Sequence, residues 1–496
     1  MGNNTELYWK GRIEYWAPRV PRIVGSWLFI LFLLTAAGHW AGILINKLSN
    51  SQLVGRPLTT NLIPFVEQPN LLSYLGAATA LVLILALNVR LQRLFSIPIL
   101  ILNLPIYAVS GFLSKKPDRW LFCARQGKAF AENCKYLFIH VHNEQPDLEA
   151  IWITHDRSIK RDLLRQGFKA CMAYSPAGYW YSLTAGAVFL SHNRIWDPDG
   201  NGFAIARGTL IMQLWHGSPI KRLGNTVEWS TDSKLSIVIG KILIALFPFL
   251  AIRRYCHRML AACPSVARHL GESYAIPDTN MLISGYPKND SWLGRALSTK
   301  NTGPRKVIYM PTFRALDWRL FVDFECNFER LNRLCSKHNM EFHIKLHPYS
   351  LDRLALIMES ISALTHIKFC DHDDIYEILD EYDVLVTDYS SISFDYLLCG
   401  RPIIYAPFDY ASYKKEERGF LEPYKSLTPG PHARNWPELE ALMVSKVDEY
   451  ASQRKALNDR YNSYQSSHSS ERLVEQVRAL IKDGVGNSRP VGDIQF

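Results

Sequence analysis

Five short segments of the chain place ionisable or hydroxyl side chains just after an apolar run or in a loop. The first reads Gln213-Leu-Trp-His-Gly-Ser-Pro-Ile-Lys-Arg-Leu-Gly224. Histidine is the side chain whose unperturbed pKa lies near neutrality, so His216 suits a general base. Gly217 and Ser218 open a turn that exposes it, and Lys221 and Arg222 add positive charge. The second segment, Tyr309-Met-Pro-Thr-Phe-Arg314, carries Thr312 and Arg314 past the end of its run. An arginine fork can bind a phosphate through two parallel hydrogen bonds. The third, Lys345-Leu-His-Pro348, holds Lys345 and His347 where a proline stops the ladder. The fourth, Val384-Leu-Val-Thr-Asp-Tyr-Ser-Ser-Ile-Ser393, ends a buried strand at Thr387, just before Asp388. Ser390 and Ser391 then open a helix whose free N–H groups favour an anion. The fifth pairs Glu417-Arg-Gly-Phe420 with Thr428-Pro-Gly-Pro431 and supplies Arg418.

Singly, each segment has an ordinary structural reading: a hydrogen-bonded histidine, a surface ion pair, a helix cap. In order, they bring two histidines, two arginines, one or two lysines and a serine-capped helix to one cleft. That set can hold phosphate and take a proton from a hydroxyl. No Gly-x-x-x-x-Gly-Lys-Ser/Thr loop is present, which argues against a P-loop NTPase. No Gly-x-Ser-x-Gly elbow is present, which argues against a serine hydrolase. Asp371, Asp373 and Asp374 read as a helix cap and dipole complement rather than a metal site. No cofactor and no metal ligand set is expected. The nine cysteines include no Cys-x-x-Cys pair and read as free thiols in a reducing compartment.

These segments need strands to carry them. Candidate strands cover 136–141, 150–154, 187–190 and 209–214 in the first half, and 307–310, 341–346, 384–387 and 402–405 in the second. Helices over 328–337 and 375–381 fall between. Strands alternating with helices imply an α/β fold with parallel sheets covered on both faces. Two doubly wound domains facing a cleft are expected, 115–295 and 296–483, joined near Gly285–Pro304, with a loose tail at 484–496. In such sheets ligands lie beyond the carboxyl ends of the strands, where the first four segments sit, with the fifth in a loop.

Residues 1–114 read as a membrane module. Val24–Ile45 and Leu71–Val89 are apolar and uncharged, the first 22 residues long, about the length that spans a hydrocarbon core. Leu94–Leu113 is a third apolar run, broken by Pro98 and Pro105 and read as kinked or interfacial. Basic residues flank the two spans on one side, which places both chain ends and the main body in the cytoplasm. A further apolar run, Leu235–Ala251, followed by Arg253, Arg254 and Arg258, reads as a core helix or a segment lying on the membrane. The net charge of +10 is thus divided between topology and phosphate-facing motifs. No basic-aromatic motif points to nucleic acid.

The ordered set WHGSPIKRLG, SGYPKND, YMPTFR, KLHP, TDYSSISFD, ERGF and PGP resembles the CDP-glycerol glycerophosphotransferase family of teichoic-acid-type polymerases and primases, over roughly residues 118–480. The resemblance implies a GT-B fold, with the acceptor side on the N-terminal half and the nucleotide on the C-terminal half. It implies transfer of glycerol phosphate from CDP-glycerol to a hydroxyl of a lipid-linked or polymeric acceptor at the bacterial cytoplasmic membrane, releasing CMP. By the same resemblance His216 is the base. His347, Arg314, Ser390 and Ser391 hold the pyrophosphate, while Asp388 and Arg418 occupy motif positions. Ser218 and Lys288 stand where Thr and Arg are frequent. The alternatives are a ribitol-phosphate transferase, a sugar transferase of the same fold, and a non-catalytic membrane-bound binding protein.

Overall fold

The computed structural model describes residues 110–173, 175–191, 207–227, 256–298, 303–312, 314, 319–346, 360–416, 419–445, 447–488 and 491. The apolar runs at 24–45, 71–89 and 235–251, and all but the last four residues of 94–113, lie outside this set. Among the described residues no helix is long and apolar enough to cross a membrane.

Two parallel sheets carry the molecule. The first contains β1 (Lys116–Cys123), β2 (Glu149–Thr154), β3 (Ala170–Met172), β4 (Ala185–Leu190), β5 (Leu210–Gln213), β6 (Arg258–Ala261) and β7 (Met281–Ile283). Its order is β3-β2-β1-β4-β5-β6-β7. The second contains β8 (Arg305–Met310), β9 (Met340–Ile344), β10 (Ile367–Phe369), β11 (Val384–Thr387) and β12 (Ile403–Tyr405), in the order β10-β9-β8-β11-β12. Every pairing is parallel, with Trp120 against Ala150 and Ala187, and Tyr309 against Val386 and Ile344. Parallel strands need crossovers, so helices cover both faces and the strands become continuous apolar runs. β4 and β11 are buried along their whole lengths. Strand order reverses between β1 and β4 and between β8 and β11, and each reversal opens a crevice at the carboxyl ends.

The helices used below are α1 (Glu132–Glu144), α2 (Arg157–Arg165), α3 (Pro176–Thr184), α4 (Pro264–Tyr274), α5 (Pro287–Ser298), α6 (Phe328–Lys337), α7 (Ile392–Tyr396), α8 (Tyr410–Glu416), α9 (Trp436–Val444), α10 (Ala451–Tyr461) and α11 (Ser469–Lys482). Side chains alternate across β1. Leu121 and Cys123 join a cluster that continues through Cys263, Val266 and Trp292 to Ile308, Leu385 and Tyr396 of the second half. Trp120 and Phe122 face a separate cluster with Phe138, Trp152 and Phe189. The outer face of the second sheet packs Tyr309 and Phe342 on Trp436.

Three sequence expectations change. Residues 136–141 lie in helix α1, not a strand. Every residue from Glu132 to Phe138 is buried, so packing on several sides hides the helical period that Cys134, Leu137, Phe138 and Val141 keep. The stretch 285–304 is not simply a join, because Pro287 starts helix α5, a position proline favours. Finally, α11 returns to the first half, where Leu473, Val474 and Val477 complete the cluster around Trp120 and Phe122. The second half therefore does not keep the whole stretch 296–483.

Candidate functional site

The His216 turn is held from several sides. Trp215, at the mouth of β5, has φ 52°, a left-handed value that costs energy for a bulky side chain. Its N–H donates to Gln213 Oε1 at 3.0 Å. Asn133 of α1 donates from Nδ2 to the carbonyls of Leu214 and Trp215, both at 3.0 Å. The indole packs against Tyr274, with ring centroids 5.1 Å apart. His216 follows, half-buried, and its carbonyl accepts from Lys288 Nζ at 2.9 Å. Gly217 is needed for close approach. A Cβ there would lie 3.2 Å from Lys288 Nζ and 3.2 Å from Ser391 Oγ. Ser218 is buried.

Across the cleft, the crevice between β8 and β11 is organised by Asp388. This carboxylate is fully buried. Its Oδ1 accepts the Thr312 N–H at 2.8 Å and the Tyr389 N–H at 2.5 Å. Its Oδ2 lies 2.8 Å from Arg314 Nη1. Arg314 also makes two bonds to Asp409, at 2.5 Å and 2.8 Å. Burial opposes the guanidinium charge, but Asp388 and Asp409 outweigh it and raise the Arg314 pKa above its ordinary value. The arginine expected to meet phosphate thus spends its fork on two carboxylates. Asp388, expected as a catalytic motif residue, meets the Thr312 and Tyr389 N–H groups and Arg314 instead of open cleft. Tyr389 and Tyr413 stack at 3.9 Å, and the Arg314 guanidinium lies 5.3 Å and 5.2 Å from their ring centres.

Ser390 and Ser391 lie beyond Asp388 at the start of α7. Ser391 occupies the N-cap position but makes no side-chain cap bond, and Ser390 Oγ is 3.5 Å from the Ile392 N–H. The expected serine cap is therefore weak, and Ser391 Oγ points to Gly217 instead. A strap joins the halves beside this point. Arg222 N–H donates to Gly419 O at 3.1 Å and Leu421 N–H to Ile220 O at 3.0 Å, and Lys221 bridges Phe420. Lys221 Nζ lies 5.1 Å from the Tyr413 ring centre, on the ring that Arg314 also meets.

The structure therefore brings His216, Gly217, Ser218 and Lys221 to the Thr312–Arg314–Asp388–Ser390–Ser391 crevice. Lys345 stands at the end of β9, where Nζ donates to the His372 carbonyl. His347 and Arg418 lie outside the described residues. Sequence reasoning quoted Lys288 and Asp395 within the SGYPKND and TDYSSISFD segments without giving either a place in the site, and it missed Tyr376; the three meet beneath the His216 turn. Two signals pointed there. Lys288 begins a helix just after β7, and Asp395 stands four residues after Ser391, on the same helical face.

Comparison with known proteins places this geometry among relatives. A model of the CDP-glycerol:poly(glycerophosphate) glycerophosphotransferase family matches residues 106–479. A Staphylococcus aureus teichoic acid ribitol-phosphate polymerase, TarK, is 30% identical over 221 residues, covering 42% of this chain and 42% of its own length. A second, TarL, is 29% identical over 221 residues, covering 42% of this chain and 38% of itself. The chain thus spans less than half the length of these two relatives. A teichoic acid poly(glycerol phosphate) polymerase from Bacillus spizizenii is 24% identical over 398 residues, covering 75% of this chain and 95% of that protein. The solved structure of the wall teichoic acid polymerase TagF superposes with TM-score 0.57 at 20% identity, covering 74% of this chain and 90% of that one. At that identity the likeness shows the fold, two parallel-sheet halves of GT-B type.

Proposed function

The chain belongs to the CDP-glycerol:poly(glycerophosphate) glycerophosphotransferase family, and from that premise we propose that it transfers glycerol phosphate from CDP-glycerol to a hydroxyl of a teichoic-acid-type acceptor. The observation that carries this reading is the approach of the His216–Gly217 turn to Ser391, within 3.2 Å of the Cβ position. The turn that carries the base on one half is thereby set beside the Ser390–Ser391 turn on the other.

The reaction is a displacement at phosphorus. The acceptor oxygen attacks the β-phosphorus of CDP-glycerol, the bond to the α-phosphate oxygen breaks, and CMP leaves. His216 takes the hydroxyl proton, which a weak nucleophile must lose during attack. Phosphoryl transfer is mainly positioning and charge stabilisation. Ser390, Ser391 and Thr312 supply hydroxyl and backbone donors for the phosphate oxygens, and Lys221 supplies charge. Asp388 and Arg314 hold the Thr312 and Tyr389 backbone that forms the wall. His347, Lys345 and Arg418 complete the donor side by their motif positions.

The apolar runs at 24–45 and 71–89 support attachment of this enzyme to a bacterial cytoplasmic membrane, with the catalytic body on the cytoplasmic side and a lipid-linked or polymeric acceptor. A second reading has a specific support: two relatives near 30% identity are ribitol-phosphate polymerases, so a CDP-ribitol donor is the rival. The purified full chain should release CMP from CDP-glycerol in the presence of a glycerol-phosphate-primed lipid acceptor. His216→Ala should slow that release by about 10²–10⁴-fold. Release from CDP-ribitol alone would move the reading to the rival. Unchanged release by the variant would remove His216 from the reaction.

A further inference from the structure

Lys288 is the most fully enclosed cation in the site, with no exposed side-chain surface. A lysine is rarely buried unless its charge and donors are matched. It also sits in the first turn of α5, where the helix dipole disfavours a cation. Both costs point to a task. An ammonium has three N–H donors, and all three find an acceptor here. Nζ donates to Asp395 Oδ2 at 2.7 Å, to Tyr376 Oη at 2.7 Å and to the His216 carbonyl at 2.9 Å. Tyr376 Oη donates in turn to Asp395 Oδ2 at 2.7 Å, and Asn289 Nδ2 donates to Asp395 Oδ1 at 3.2 Å.

The three acceptors come from three separate places. His216 follows β5 of the first sheet. Asp395 lies on α7, one turn beyond Ser391. Tyr376 lies in the loop between β10 and β11. Gly217 is pressed between Lys288 Nζ and Ser391 Oγ, so the ammonium sets how close the base turn comes to the hydroxyl turn.

We propose that Lys288, paired with Asp395, is a positioning residue for group transfer: it fixes the backbone of His216 against the Ser390–Ser391 turn, so that the base meets the acceptor hydroxyl in line with the donor phosphate. This rests on the transferase reading above. Lys288 touches neither substrate, so its loss acts on the chemical step rather than on donor binding.

Lys288→Met alone would strand a buried carboxylate and could unfold the chain. The informative variant is Lys288→Met combined with Asp395→Asn. It removes both charges at nearly constant volume, and the new amide can still pair with Tyr376 and Asn289. Two readouts are taken on the folded full chain, verified by an unchanged thermal transition. In CMP release, kcat should fall at least tenfold while KM for CDP-glycerol changes less than threefold. In hydrogen–deuterium exchange, the amides of 215–218 should exchange at least tenfold faster. A folded double variant with wild-type kcat and unchanged exchange at 215–218 would overturn the proposal. If the wild-type protein releases no CMP yet the exchange rises in the variant, the transferase reading fails and the positioning role stands. If CMP is released and neither readout moves, the positioning role fails alone.

Discussion

At the residue scale, Arg314 shows how a correct chemical expectation can acquire a different content. Its type and place at the end of β8 mark it as a phosphate ligand, but Asp388 and Asp409 take the fork. Asp388 is fully buried and the Arg314 side chain is 11% exposed, so neither charge has water to fall back on. Arg314→Ala should therefore destabilise the fold by about 3–5 kcal/mol, because it leaves a buried carboxylate without its counterion. Urea denaturation reads this directly. A loss well under 1 kcal/mol would mean that water reaches the pair. His216, Ser390 and Ser391 were legible because each follows an apolar run and faces the cleft by topology. The pairing of Lys288 with Asp395 was not, although both lie in quoted motifs, because it is a contact between segments 107 residues apart, which no local pattern encodes.

At the element scale, local pattern succeeded where one face decides. Helix α6 spans Phe328–Lys337 and strand β11 spans Val384–Thr387, both as the periodicity predicts. Asn327 caps α6, accepting the Arg330 N–H at 2.8 Å. Pattern failed at α1, whose buried residues lie on more than one face. It also failed at β1, which is absent from the candidate strands and opens on exposed Lys116, Pro117 and Asp118. Helix α11 has an unusual start. Its first N–H groups are satisfied by another helix, since Asp290 of α5 accepts from Ser469 N–H at 2.9 Å and Ser470 N–H at 2.7 Å. Asp290→Ala should cost about 1–2 kcal/mol, the usual value of a cap. Because the lost bonds tie α5 to α11, protease cleavage within 469–482 should accelerate in the variant. Cleavage at the wild-type rate would show that α11 is held without Asp290, by Leu473, Val474 and Val477 and by Arg472 and Arg478.

At the scale of the whole molecule, acid should loosen the fold from the side of its histidines. His257, His269, His343 and His432 all sit below the ordinary imidazole value of 6.5, with burial the leading cause in each. His257 illustrates why. Its Nδ1 accepts the Ile211 N–H at 2.9 Å, so a proton there would break a bond at β5. The unfolded chain takes up these protons near pH 6.5, whereas the fold does so only at lower pH. Their contribution to stability is therefore full above about pH 6.5 and is lost as pH falls below it. The urea midpoint should decline between about pH 6.5 and 5, and a flat profile would show that these imidazoles titrate freely in the fold. The return of the chain after α9 has a last consequence. The polypeptide passes between the halves twice, once after α5 and again before α11, while one apolar cluster runs through both. A single tether would act as a ball joint. A second tether removes freedom that one would leave, and any opening of the cleft must also break the strap between 220–222 and 419–421 and the Lys288–Asp395 pair.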